Sequence, residues 1–521
     1  MRRLVLPLLA AASALAGCAA LPPAAPPAPQ RSVAVLDAAS AESRTLVAIE
    51  RIEALNPRLN AVIAVDPTAV AQARALDAAP RPGALFGMPV IVKDNIDTLG
   101  PLPTTAGSLA LRDNVTDRDA PLVARLRAAG AVIVGKANLS EWANIRSSDS
   151  ISGWSAVGGQ TRNPHALNRN ACGSSSGSAV AVAAGMVPAA IGTETDGSIT
   201  CPAAITGIVG FKPTVGLVSR THIIPISHSQ DTAGPMTRTV REAADILTTI
   251  AGSDPADPAT AEADARRTDY AAALDAGALR GKRIGVMRFA AGFGTDAPFE
   301  RALAVLRHAG AVLVDIDEFP GRREIGQHEY SVLLHEFKAG LNAYLATTPP
   351  QVRTRSLADL IAFNKEHVDR EMPLFGQDIF EAAEETGGLD SADYRAARET
   401  SFRMAGPDGI DRVLREGGLV ALVGPTMPAA WFIDAVHGDR IGGGGAGSLA
   451  AVAGYPHLTV PMGHVRGLPV GLSFIGPKWS DGLILALGYA YEQAAPQRIE
   501  PRLLPSIEDA PEVARHLEPV R

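Results

Sequence analysis

Residues 172–198 read CGSSSGSAVAVAAGMVPAAIGTETDGS, two serine- and glycine-rich loops separated by a run of small apolar residues. The run from Ala179 to Ala190 is long enough for one tight helix and a short strand, which returns the second loop to the same end of a sheet as the first. Each loop offers serine hydroxyls and backbone N–H groups that no bulky side chain screens. Acyl transfer needs that combination: a nucleophile, a proton relay and donors for a tetrahedral oxyanion. Upstream, Val90-Ile91-Val92-Lys93-Asp94-Asn95 ends an apolar strand on a lysine, a candidate base.

Outside this stretch, strand-like runs (87–92, 131–134, 187–191, 284–286, 311–314, 419–423, 458–460 and 470–475) alternate with helical ones (41–55, 120–129, 240–250, 298–309 and 482–494). That alternation predicts an α/β fold. With 46% apolar residues the chain can bury a large core, and no internal repeat divides it. Residues 321–400 are more helical and more charged, with fewer catalytic cues, and suggest a cap on the substrate side.

A serine hydroxyl is a weak nucleophile until a neighbour takes its proton. Lysine can do so only when neutral, and its ordinary pKa of about 10.4 forbids that near pH 7. Burial behind Val90, Ile91 and Val92 disfavours the charged form and lowers the pKa. Asp94 would raise it again if it faced the same way, but successive strand side chains point to opposite faces. Cations here are written mostly as arginine, with only seven lysines among 48 Lys and Arg, which sets this lysine apart from the ordinary surface charges; a half-buried lysine paired with Asp94 is the plainer alternative.

Together these motifs resemble the amidase signature family, whose members hydrolyse amides through a Ser–Ser–Lys triad. The flanks fit as well: Gly-Gln-Thr-Arg-Asn-Pro at 159–164, Gly-Phe-Lys-Pro-Thr at 210–214 and Asp-Thr-Ala-Gly-Pro-Met at 231–236. The resemblance runs from about Leu36 to Pro501. It implies one large domain with a mixed central β-sheet covered by helices on both faces. It places the base at Lys93, the bridging serine at Ser174 and the nucleophile at Ser198, 24 positions further on. It also implies a cis Gly173–Ser174 peptide bond, a helix near Ser178 pointing its N-terminus at the site, and an oxyanion hole of N–H groups from Thr195, Asp196, Gly197 and Ser198. Gly197 would let the backbone approach the substrate.

Within the family the nearest likeness is to bacterial peptide amidases, which remove the C-terminal amide of peptides. The pointers are Ser140-Glu141-Trp142-Ala143-Asn144, Asp149 to Ser155, the forms of the two loops, and His335-Glu336-Phe337-Lys338. The expected activity is amide hydrolysis through an acyl-enzyme, on a small peptide or other carboxamide, with no cofactor and no metal. A broader amidase or esterase acting on aryl or acyl amides is the alternative within the family. From other classes, Gly173 to Gly177 also fits the G-x-S-x-G elbow with Ser175 as nucleophile, which requires partners such as Asp434 with His457 or His464. A non-catalytic envelope-binding protein would leave the filled triad without a purpose.

The first residues read as an address. Arg2 and Arg3 precede an apolar run, Leu4 to Leu15, and then Leu15-Ala16-Gly17-Cys18. This resembles the bacterial lipobox, implying a leader over 1–17, lipidation of Cys18 and a membrane anchor on the periplasmic side of the outer membrane. An ordinary cleaved leader into the periplasm is the plainer alternative. Residues 18–35 form a Pro/Ala-rich tether, 36–505 the catalytic domain and 506–521 a tail. Export argues against the family's amidotransferase branch, which works in the cytosol with partner subunits, and no obligate protein partner is evident. Losing Arg2 and Arg3 takes the formal charge from −7 to −9, which argues against nucleic acid as a partner. Cys172 and Cys201 flank the two loops; two separate buried thiols are expected, although an oxidising compartment would permit a bridge.

Overall fold

In the computed structural model, residues 40–79 and 83–517 are described. The leader, Cys18 and the tether up to residue 35 lie outside the described residues. Thirteen strands form among them. They are β1 (Val62–Val65), β2 (Pro89–Lys93), β3 (Val132–Ala137), β4 (Trp154–Ser155), β5 (Gly159–Gln160), β6 (Ala189–Glu194) and β7 (Val209–Lys212). The rest are β8 (Thr232–Thr237), β9 (Arg283–Met287), β10 (Val312–Ile316), β11 (Ala421–Pro425), β12 (His457–Val465) and β13 (Leu468–Ile475). β4 and β5 pair alone, and the other 11 make one sheet in the order β1-β3-β2-β6-β8-β7-β12-β13-β11-β9-β10.

The sheet is mixed. β3, β2 and β6 run parallel to one another, as do β10, β9 and β11, and antiparallel pairs through β8, β7, β12 and β13 join the two groups. Parallel neighbours end on the same edge, so the C-terminal ends of β2 and β6 come together. Val92 pairs with Ile191, which puts Lys93 beside the end of β6.

Side-chain alternation divides the interior into two cores. Val90 and Val92 join one apolar cluster with Leu122, Leu126, Val240, Leu247, Phe299, Leu303 and Leu485. These come from the helices Pro121–Ala128, Val240–Ile250, Asp296–His308 and Asp481–Ala494. Ile91 faces the other cluster, with Ala48 and Ile52 of the helix Ala41–Leu59 and Ala179 to Ala183 of the helix Ser176–Ala183. Each fully buried Leu, Ile or Phe contributes about 1.5–3 kcal/mol by removal from water, so the cores dominate stability. Local signals agree with them: Thr239 and Glu242 form a reciprocal capping box that starts Val240–Ile250, worth about 1 kcal/mol.

Helices therefore cover both faces of the sheet, and every strand-like run read from the sequence overlaps a strand. β1, β7 and β8 were not among those runs. β8 holds Gly234 and Pro235, residues that signal turns, yet Pro235 sits centrally opposite Ile191. Residues 321–400 carry the helices Arg322–Ala346, Leu357–Glu366, Val368–Glu371 and Asp378–Glu384, and the helix Ala392–Ala405 begins there. Phe337, Leu341, Leu345, Leu357 and Phe380 of this layer pack on Trp142 and Ile145.

Candidate active site

The helix Ser176–Ala183 and β6 fold as the small-residue run requires, with the helix starting two residues before the expected Ser178. Its residues are all buried. Gly177 shows why they are small. A Cβ there would lie 2.2 Å from Ala61 O and 2.5 Å from both the N and O of Asn138, all backbone atoms. The packed helix holds the first loop against the end of β6.

Lys93, at the end of β2, is fully buried and its Nζ lies 2.7 Å from Ser174 Oγ. Nζ also lies 2.8 Å from Thr193 Oγ1 and 3.3 Å from the Thr193 carbonyl oxygen, at the end of β6. The Gly173–Ser174 peptide bond is cis. Ser198 is the accessible member, 7% exposed where Lys93 and Ser174 are 0%. Its carbonyl accepts from the Ser175 N–H at 3.1 Å, so the loops are tied through their backbones. Among the described residues no hydrogen bond joins Ser198 Oγ to Ser174. Catalytic hydrogen bonds often tighten only once substrate is bound.

Desolvation pulls the Lys93 pKa down from the usual lysine range to about 7, against the opposing pull of Asp231 and Glu194. Asp94 turns away, as strand alternation requires. It faces Lys136 on β3, with Nζ 3.6 Å from Asp94 Oδ1, and accepts from the Thr105 N–H. Lys136 is thus a second buried lysine that neutralises Asp94 and leaves Lys93 unpaired with it.

The second loop is opened by its own geometry. Gly197 adopts φ +78°, and a Cβ there would meet nothing within 4 Å, so the backbone faces open space. The N–H groups of Thr195, Asp196, Gly197 and Ser198 meet no backbone or side-chain acceptor among the described residues. Glu194 Oε2 braces the following turn by accepting from the Ile199 and Thr200 N–H groups at 2.7 and 2.9 Å. Asp231 accepts from the Thr195 hydroxyl and from the Ile226 and Ser227 N–H groups, at 2.8 and 2.9 Å for the last two. Asp196 is exposed, yet the protein around its carboxyl desolvates it and pushes the pKa up to about 6.

Beneath the first loop, the Ser140 N–H donates to the Ser174 carbonyl at 3.0 Å and the Ser140 hydroxyl accepts from the Gly153 N–H at 2.8 Å. The segments 140–144 and 149–155 are therefore its floor. Glu336 of the helix Arg322–Ala346 accepts from the Tyr394 hydroxyl at 2.7 Å and the Ser229 N–H at 3.0 Å, which joins that helix to the loop before β8.

Cys172 and Cys201 are bonded to each other, with Cα atoms 6.1 Å apart, which corrects the expectation of two separate thiols. The fold brings both loops to one sheet edge, and that separation lies within bridging range. The bridge staples the loop of Ser174 to the helix after Ser198. Closing a loop of 29 residues contributes about 3–4 kcal/mol in the chain-entropy account.

The elbow reading of Ser175 does not assemble. Ser175 is fully buried, donates to the Thr193 carbonyl at 3.0 Å and accepts from the Thr193 N–H at 3.2 Å. Asp434 pairs with His437, while His457 lies 2.6 Å from Ser473 Oγ and burial lowers its pKa to about 3.

A cavity of about 480 Å³ lies between the helix Arg322–Ala346 (Gly340, Tyr344) and the loop before β8 (Ile224, Asp231), and reaches Asn95 and Thr193. It ends on the lysine side of the site, and neither Ser174 nor Ser198 lines it. Sequence reading had passed over Asn95, Thr193 and Glu194, and had used Asp231 only as a flank. Asn95, Thr193 and Glu194 stand inside motifs already quoted, next to residues assigned a role.

The sequence profile of the family described as Amidase matches residues 44–485. The crystal structure of native peptide amidase from Stenotrophomonas maltophilia is 51% identical, with a TM-score of 0.86 over 90% of this chain and 96% of that one. An amidase family protein from Bacillus anthracis is 36% identical, with a TM-score of 0.80 over 90% of each chain. A protein of Arabidopsis thaliana named as an amidase is 39% identical over 88% of this chain and 87% of its own length.

Proposed function

The chain belongs to the amidase family and is an amide hydrolase, and on that premise we propose that it releases ammonia from the C-terminal carboxamide of peptides through Lys93, Ser174 and Ser198. The observation that carries the relay is the buried Lys93 amine, 2.7 Å from Ser174 Oγ, with its pKa lowered to about 7 by desolvation. A lysine so placed has a substantial neutral fraction near pH 7 and can accept a proton.

The steps follow from that placement. Ser198 Oγ attacks the amide carbon as its proton passes to Ser174 Oγ, whose own proton passes to Lys93 Nζ. The carbonyl oxygen gains the charge and is received by N–H groups of the loop 195–198, which have no other acceptor among the described residues. Collapse of the tetrahedral species breaks the C–N bond, and the proton held by Lys93 returns through Ser174 to the departing nitrogen. Water then attacks the acyl-enzyme by the same relay and releases the carboxylic acid. Overall, a carboxamide and water give a carboxylate and ammonium.

The peptide-amide substrate rests on the 51% identity to a peptide amidase over nearly the whole of both chains. A panel of peptide C-terminal amides, the same peptides as free acids, and arylamides tests it. Ammonia is expected from the peptide amides, and the internal bonds of the free-acid peptides should stay intact. Turnover confined to arylamides or esters would replace this reading with a broad aryl- or acylamidase.

A further inference from the structure

Lys93 Nζ has three acceptors within reach: Ser174 Oγ at 2.7 Å, Thr193 Oγ1 at 2.8 Å and the Thr193 carbonyl oxygen at 3.3 Å. A neutral amine carries two N–H bonds and a lone pair, whereas an ammonium carries three N–H bonds and no lone pair. The neutral amine takes the Ser174 hydroxyl proton on its lone pair and gives its two N–H bonds to Thr193, and the ammonium formed once the nucleophile's proton has reached it gives all three, one to Ser174 and two to Thr193. Two of the three belong to Thr193.

Thr193 is itself held. Asn95 Nδ2 donates to Thr193 Oγ1 at 3.0 Å and to the Ile224 carbonyl at 3.4 Å. Turning the amide over would set Asn95 Oδ1 against that carbonyl oxygen, so the donor must face this way. Ser175 Oγ donates to the Thr193 carbonyl at 3.0 Å and fixes its direction. Thr193 is 8% exposed and Asn95 3%, so both are buried although they border the cavity.

We propose that Thr193, held by Asn95, is a positioning residue for the base: its hydroxyl and carbonyl accept two of the three N–H bonds of the Lys93 ammonium formed during acylation. The inference rests on the relay proposed above. An ammonium that forms in a desolvated site is costly unless its protons are matched, and Thr193 supplies the match before the reaction starts. The charged groups facing Lys93 are Asp231, just before β8, and Glu194, at the end of β6; both favour the ammonium. On β3, Lys136 faces Asp94 instead.

Thr193→Val keeps the branched shape and removes one acceptor, leaving Asp231 and Glu194 in place. Its kcat/KM is expected to fall about ten- to hundredfold, the usual range for a hydrogen bond to a charged group, with most of the loss in kcat. Both forms of the amine donate to Thr193, but the charge-assisted bond of the ammonium is the stronger, so its loss should move the acid limb of the pH profile to lower pH. Thr193→Ser should restore both rate and limb. A lowered plateau with an unmoved limb, or a serine variant no better than valine, would overturn the inference in favour of a merely structural role. If Thr193→Val does not fold, Asn95→Ala loosens the same hydroxyl and should move the limb the same way; an unmoved limb there also overturns it. Activity surviving in Lys93→Ala would instead remove the relay itself, so the two failures appear in different variants.

Discussion

Ser198→Ala should lose turnover by roughly four orders of magnitude or more, and Lys93→Ala should fall within about tenfold of the same loss. Groups that act as a unit in nucleophilic catalysis show such non-additive losses, because each is useless without the others. The double variant should therefore be little worse than either single one. Ser174→Ala removes the hydroxyl that links Lys93 to the first loop, and belongs with them. Rates on a peptide amide, with thermal melts to confirm folding, check the set. Wild-type-like turnover in Ser198→Ala would remove the assignment, and a Lys93→Ala enzyme that keeps most of its rate would leave the nucleophile without its base.

The second large effect is on pH. Lys93 has to be neutral to accept a proton, and its pKa is drawn down to about 7 because burial penalises the ammonium more than Asp231 and Glu194 support it. Below that value the amine is protonated in the free enzyme, and kcat/KM should fall about tenfold per pH unit. Activity is thus lost as pH falls, to about a tenth of the plateau at pH 6, and is retained as pH rises above 7. A profile flat from pH 5 to 9 with chemistry rate-limiting would contradict a lysine base.

Much of this site was legible because its chemistry needs unusual residues in fixed order. Lysine at the end of an apolar strand, two serine-rich loops and a run of residues too small for an ordinary surface helix leave few other readings. Steric facts bear this out at Gly177, where any side chain would strike backbone. The sheet was legible wherever a strand was a plain apolar run, and β8 was missed because Gly234 and Pro235 signal a turn locally. There, pairing with β6 and β7 overrides the local preference.

The remainder depends on distance in space. Nothing in the spacing of Cys172 and Cys201 says that two loops on one sheet edge bring their Cα atoms to 6.1 Å. Lys136 lies 42 positions after Asp94 and meets it only because β2 and β3 are parallel neighbours. Thr193 reaches the base, and Asn95 reaches Thr193, for the same kind of reason, since β2 and β6 are adjacent strands. Sequence alone orders such residues along the chain, while the register of the sheet decides which of them touch.

The central claim is that Ser198 is the residue acylated. Labelling the protein with a fluorophosphonate, which transfers phosphorus to an activated serine oxygen with loss of fluoride, tests it most directly when followed by peptide mapping. The label is predicted on Ser198, absent from Ser198→Ala and much slower to form in Lys93→Ala; label on Ser175, or equal labelling in Ser198→Ala, would contradict the account.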